Sequence, residues 1–135
     1  VYELAGWHAE LYMDSAFLPE MTALLEQLPA VSIDHLGLSK DGFPSLFALV
    51  VKGVRVKATG FGRVDLDVVQ AIRSICSVNP DALMFGTDLP STRAKRPFAF
   101  ADLELICSIL DEKQARKVLY TNAMKWYLKE ENWDE

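Results

Sequence analysis

Four short runs that read as β-strands recur along this chain, centred near Leu11, Ile33, Val56 and Met84, and each gap between them carries a helical pattern. Repeated strand and helix in alternation implies parallel strands joined by right-handed crossovers, and this constrains the fold more than any other feature. In the run WHAELYMD, Trp7, Ala9, Leu11 and Met13 fall on one parity, and His8, Glu10, Tyr12 and Asp14 on the other. A period of two marks a strand whose two faces differ chemically. Strands are expected near 9–13, 30–34, 54–58 and 82–86, in sequential order. Helices are expected at 17–28, 43–51, 65–77, 100–110 and 112–128, the last with a break near Asn122. Pro19 suits a first helical turn, and Gly53 sits just past the end of the second helix. Asp65 and Asp67 favour the start of the third.

Four βα units allow two readings. A small open parallel sheet can exist, whereas a closed β/α barrel needs eight strands and about 200 residues or more. A chain of 135 residues has room for one core, so residues 1–135 are expected to form a single domain, either complete or half of a barrel. The fingerprints GxGxxG, GxxxxGK and GxSxG are absent.

Composition removes several classes of function. Hydrophobic residues make up 50% and charged residues 24%, which excludes a disordered chain. Fourteen basic residues against nineteen acidic give a net charge of −5, and Glu130, Glu131, Asp134 and Glu135 supply most of it. No positive field exists to hold a nucleic-acid backbone. The longest apolar stretch, Leu46 to Val51, is far below the roughly 20 residues of a spanning helix, so no membrane role is expected. Cys76 and Cys107 lie in apolar helical patterns and form no metal motif. Both are expected to be buried free thiols in a reducing, cytoplasmic setting.

Unusual polar residues gather where the strands should end: Tyr12 and Asp14, Asp34 and His35, Lys57 with Arg63 beyond it, and Thr87 with Asp88. In parallel α/β folds that edge is where sites are built. Asp88, in MFGTDLPSTR, could accept a proton from water or bind a metal. His35 could donate to a carbonyl or ligate an ion. Arg63, Arg93 and Arg96 could pair with a substrate carboxylate through two parallel hydrogen bonds. Each has a plainer reading as well: an aspartate as turn former or helix cap, His35 as a structural histidine, the arginines as solvation of a loop.

Four blocks, GWHAELYMD, SIDHLG, RVKATGFGRV and LMFGTDLPSTR, together with the closing KVLYTNAMKWY, resemble the C-terminal half of the amidohydrolase-related TIM-barrel superfamily. The likeness is closest to its 2-pyrone-4,6-dicarboxylate lactonase-like branch and covers nearly the whole chain in order and spacing. The resemblance implies an α/β fold in which the four strands are strands five to eight of a (β/α)8 barrel. It makes His35 the residue that polarises the substrate carbonyl, or ligates an ion in metal-bearing members. It makes Asp88 the residue that activates water and passes its proton to the leaving oxygen. Arg63 becomes a contact for a substrate carboxylate, with Tyr12 and Arg93 as further substrate-binding candidates, and Asn122 a structural helix residue.

Tyr12 is a departure, because many relatives place a metal-ligating histidine there and a neutral phenol is a poor ligand near pH 7. No cofactor is firmly implied. If a divalent ion such as zinc or manganese binds, His35 and Asp88 are its candidate ligands. The strand-one HxH pair of the family is also missing. The implied function is a hydrolase that opens a lactone or related carboxylated ring, with a metal-dependent decarboxylase or amide hydrolase as the alternative. The chain alone is expected to be inactive. It is expected to self-associate, or to pair with the missing N-terminal half, by burying Val31, Ile33, Val54 and Val56 on the side turned from the helices. A non-catalytic half-barrel is the remaining reading.

Overall fold

A computed structural model describes residues 2–129; the acidic residues Glu130, Glu131, Asp134 and Glu135 lie outside them. A short helix α1 (Tyr2–Ala5) precedes four βα units. These are β1 (Ala9–Leu11) with α2 (Leu18–Leu25), β2 (Val31–Ile33) with α3 (Phe43–Val51), β3 (Arg55–Ala58) with α4 (Val68–Val78), and β4 (Leu83–Phe85) with α5 (Phe100–Ile109). Two further helices, α6 (Glu112–Arg116) and α7 (Asn122–Leu128), are joined by a π-helical turn, Lys117–Thr121. The strands are all parallel and lie in the order β1-β2-β3-β4, as the alternation predicts.

Local chemistry sets the boundaries. Pro19 and Pro44 sit in the first turns of α2 and α3, where a missing N–H costs nothing. The Asp67 carboxylate accepts from the Gln70 N–H and so caps α4. That helix therefore starts at Val68 rather than at Asp65, whose backbone is bonded to Leu38 and Lys40 instead. Asp14 caps a 3-10 turn, Ser15–Phe17, that leads into α2. The expected break near Asn122 is a wide turn within a continuing helical path.

Ile33, Val56 and Leu83 stand side by side in register and are fully buried. They pack with Leu46, Leu49 and Val50 of α3, Ile72 and Ile75 of α4, and Ile106 of α5. Each such side chain contributes about 1.5–3 kcal/mol on burial. This corrects one expectation. Val31, Ile33, Val54 and Val56 belong to the core shared with the helices, because their parity is the one that faces α3 and α4. The opposite parity carries Glu10, Ser32, Arg55 and Lys57 beside Met84, so the face turned from α3 and α4 is mainly polar, and Trp126 and Tyr127 of α7 reach it. A second correction concerns the thiols: Cys76 is buried and its pKa is pushed up to about 11 by burial, but Cys107 is exposed. Among the described residues no helix is long and apolar enough to cross a membrane.

Candidate active site

The C-terminal ends of β1 to β4 converge on one polar cluster. Beyond Ile33 the chain leaves β2 through Asp34 and turns sharply, with His35, Leu36 and Leu38 all at positive φ. The turn folds the His35 ring back over the sheet, where it is 9% exposed. Its Nδ1 lies 2.7 Å from Thr59 Oγ1, immediately past β3, and the His35 backbone N–H donates to the same oxygen at 3.3 Å. A β-carbon on Gly60 would sit 2.7 Å from Nδ1, and Gly60 has φ +57°. Glycine at this position is what lets the β3 loop lie directly against the ring.

Asp88, three residues beyond β4, also has a left-handed backbone, φ 60°. Non-glycine residues held in this region cost about 1–3 kcal/mol each and cluster at functional sites; His35 and Asp88 are two of them, beside Leu36, Leu38, Ser91 and Arg93 in the same two loops. The Asp88 Oδ1 stands 3.9 Å from His35 Nε2. Its other oxygen accepts from Arg63 Nε at 2.6 Å, and Arg63 also donates to the Thr92 carbonyl. The Tyr12 ring meets His35 edge-on, 5.2 Å between centroids, and is otherwise exposed. Burial lowers the pKa of His35, outweighing the opposite pull of Asp88 and Asp34, so the ring is neutral at pH 7. The hydrogen bond to Asp88 raises the pKa of Arg63.

His35, Asp88, Arg63 and Tyr12 are thus brought together. Arg93 is not: it is exposed at φ 63° and makes no contact with the cluster. Arg96 is held in a two-pronged pair by Asp102, and Asp14 is the cap of a turn, so for these two the plain structural readings fit. Thr59 escaped the sequence reading; its one signal is a hydroxyl directly after a strand on the same edge. Glu10 escaped as well. Its carboxylate accepts from Lys57 and from the Tyr127 hydroxyl at 2.6 Å each, with His8 Nε2 at 2.8 Å. Lys57 Nζ also lies 3.2 Å from Asp34 Oδ1, an ion pair whose angles fall short of a hydrogen bond.

Burial pushes the Glu10 carboxyl up, but the hydrogen bonds from Lys57, Tyr127 and His8 outweigh it and bring its pKa down to about 2, from an ordinary 4.5. A carboxyl depressed on folding stabilises the fold above its unfolded value and ceases to as pH falls through its folded value. Stability should therefore fall between about pH 4.5 and pH 2, and Glu10→Gln should flatten that slope. Urea midpoints measured at pH 6 and pH 3 for both proteins check this.

The residues present do not form a metal site by themselves. Among the described residues no three of His, Cys, Asp and Glu come together. Two ligands about 2.0–2.2 Å from one ion sit about 3.3–3.6 Å apart at tetrahedral angles, closer than the 3.9 Å between His35 and Asp88. The Arg63 guanidinium, moreover, already neutralises Asp88.

Comparison with known proteins agrees with the fold. A family profile described as "Amidohydrolase" matches residues 2–129. A curated relative from Comamonas testosteroni, described as "2-pyrone-4,6-dicarbaxylate hydrolase", is 27% identical over 153 aligned positions, covering 93% of this chain and 50% of the relative. Two solved structures share the fold at 20% identity: an apo structure from Agrobacterium tumefaciens (TM-score 0.74) and amidohydrolase 2 from Bifidobacterium longum subsp. infantis (TM-score 0.67). Each alignment covers 94% of this chain and 52% of the other. The chain spans about half the length of the proteins it matches, and its four parallel βα units correspond to about half of such a barrel.

Proposed function

This chain belongs to the amidohydrolase family, and from that premise we propose that a complete barrel containing it is a hydrolase that opens a lactone or related carboxylated ring. The observation that carries the reading is the pair of His35 Nε2 and Asp88 Oδ1, facing each other at 3.9 Å over the strand ends. The Asp88 carboxylate takes a proton from water as general base. The hydroxide formed bonds to the ring carbonyl carbon, whose oxygen receives a hydrogen bond from neutral His35. The ring C–O bond then breaks, and the proton on Asp88 passes to the leaving oxygen. The products are a carboxylic acid and a hydroxyl, with Asp88 regenerated.

Arg63 supplies a charge for a substrate carboxylate, and Tyr12 flanks the His35 ring. Arg63 is engaged by Asp88, so a bound substrate carboxylate has to share or draw off the guanidinium, which leaves Asp88 freer to accept a proton. A metal ion in a complete barrel would have to draw its ligands from outside this chain, since the described residues form no such site. The residues that complete the barrel would meet the two outer strands, β1 and β4. Unpaired strand edges invite such pairing.

Ring opening of a 2-pyrone dicarboxylate, followed by absorbance, tests the proposal. A complete barrel should turn over and the 135-residue chain should not. Failure of the complete protein on every carboxylated lactone offered would overturn it. Arg63→Lys should raise KM about tenfold while lowering kcat much less, because lysine cannot reproduce a two-pronged contact and a hydrogen bond to a charged group is worth about 1.5–3 kcal/mol.

A further inference from the structure

We propose that Thr59 is a positioning residue that sets the tautomer of His35, holding the ring proton on Nε2 where it faces the substrate. The inference rests on the hydrolytic reading for its purpose, but on geometry for its content.

Thr59 Oγ1 has two lone pairs and one hydrogen. It already accepts from the His35 backbone N–H at 3.3 Å, and it lies 2.7 Å from Nδ1. If Nδ1 carried the proton, Oγ1 would accept twice and its own hydrogen would need another acceptor. Thr59 is 9% exposed and, among the described residues, no other hydrogen bond to its hydroxyl is formed. If the hydroxyl donates to Nδ1, every group in the triangle is satisfied, and the ring proton is left on Nε2.

The far side of the ring supports the same assignment. Nε2 faces Asp88 Oδ1 at 3.9 Å, and a carboxylate favours an N–H over a lone pair pointing at it. The Thr59 carbonyl is a competing acceptor near the ring, and the Thr59→Val variant shows how far it holds the proton once the hydroxyl is gone. Gly60 keeps the arrangement close, since any β-carbon there would press on Nδ1. An Nε2–H is the donor a carbonyl needs, whereas an Nδ1–H would leave only a lone pair facing the substrate. Which nitrogen carries the proton is set by the bond the other one makes.

Nitrogen-15 NMR of the histidine-labelled 135-residue chain reads this directly. His8 and His35 are the only two histidines, and His8→Gln removes one set of signals. Nε2 couples to both ring carbon-bound protons and Nδ1 strongly to one, so the protonated nitrogen identifies itself. Above pH 7 the wild-type chain should show His35 protonated at Nε2, and Thr59→Ser should keep it there. Thr59→Val, which retains shape without a hydroxyl, should bring the Nδ1–H form to a substantial fraction. An Nδ1–H signal in the wild-type chain would overturn the proposal, and so would a folded Thr59→Val chain with unchanged tautomer. If Thr59→Val does not fold, Thr59→Ala is read in its place, and the wild-type spectrum decides by itself. Because no step requires turnover, a complete barrel that fails to open lactones would sink the hydrolytic reading and leave this one standing.

Discussion

Replacing Asp88 with Asn is expected to lower kcat of a complete barrel by at least about 10²-fold, because general-base contributions lie near 10²–10⁴-fold. The amide keeps the size and reach of the carboxylate but cannot take a proton from water. Asp88 is held from two sides, by Arg63 Nε at 2.6 Å and by its own left-handed backbone. Asparagine tolerates that backbone nearly as well as aspartate, so the fold should survive. The amide oxygen can still accept from Arg63, although without charge the contact weakens. Steady-state kinetics with circular dichroism as the control would read the effect. A variant within about threefold of wild-type kcat would remove Asp88 from the base role, whatever the fate of His35. The substitution should also leave KM for a carboxylated substrate equal or lower, because a guanidinium no longer bound to a carboxylate is freer to meet the one on the substrate.

The parts of this molecule that were legible in its sequence are those set by local pattern. Strand positions follow from β-branched residues at every second place, as in Val31, Ile33, Val54 and Val56. The recurrence of a helix after each strand fixes parallel order without further information, and polar residues after each strand mark the edge where the polar cluster forms. What escaped depends on partners distant in sequence. Glu10 and Lys57 are ordinary charges until the sheet sets them side by side across 47 positions. Alternation along a strand reveals two faces, but it does not say which one meets the helices, and the side that Val31, Ile33, Val54 and Val56 face is decided only by the packing of α3 and α4. Arg63 could be placed on the edge, yet its engagement by Asp88, 25 positions away, is a tertiary fact. Arg93 shares a loop with Asp88 and is exposed, a difference that its place in the sequence does not signal. Thr59 has a common side chain, and its contacts with the ring and backbone of His35, 24 positions away, are tertiary facts.

Asn122→Asp is expected to destabilise the chain by about 3–5 kcal/mol at pH 7, the usual cost of an uncompensated buried charge. Asn122 is 4% exposed, and its Nδ2 donates to the carbonyls of Pro80 and Leu83 at 2.9 Å each. Those two bonds tie the start of α7 to the segment that enters β4 and to the strand itself. A carboxylate of the same shape turns both contacts from attractive to repulsive, since an acceptor then faces two acceptors. Asn122→Ala merely removes the donors, at about 1–3 kcal/mol, and Pro80 keeps the Gln114 side chain as partner. The two variants should also differ in their response to pH. The new carboxyl, with its charged form disfavoured, will have its folded pKa raised above the unfolded value. Its destabilisation is then full above the folded pKa and fades as pH falls through it, because the protonated group can donate to one carbonyl again. The difference between the alanine variant and wild type should stay constant over the same range. Urea denaturation of the three proteins at pH 7 and pH 5 would show this. An aspartate variant within about 1 kcal/mol of wild type at pH 7 would mean that Asn122 does not hold the C-terminal helices to the sheet.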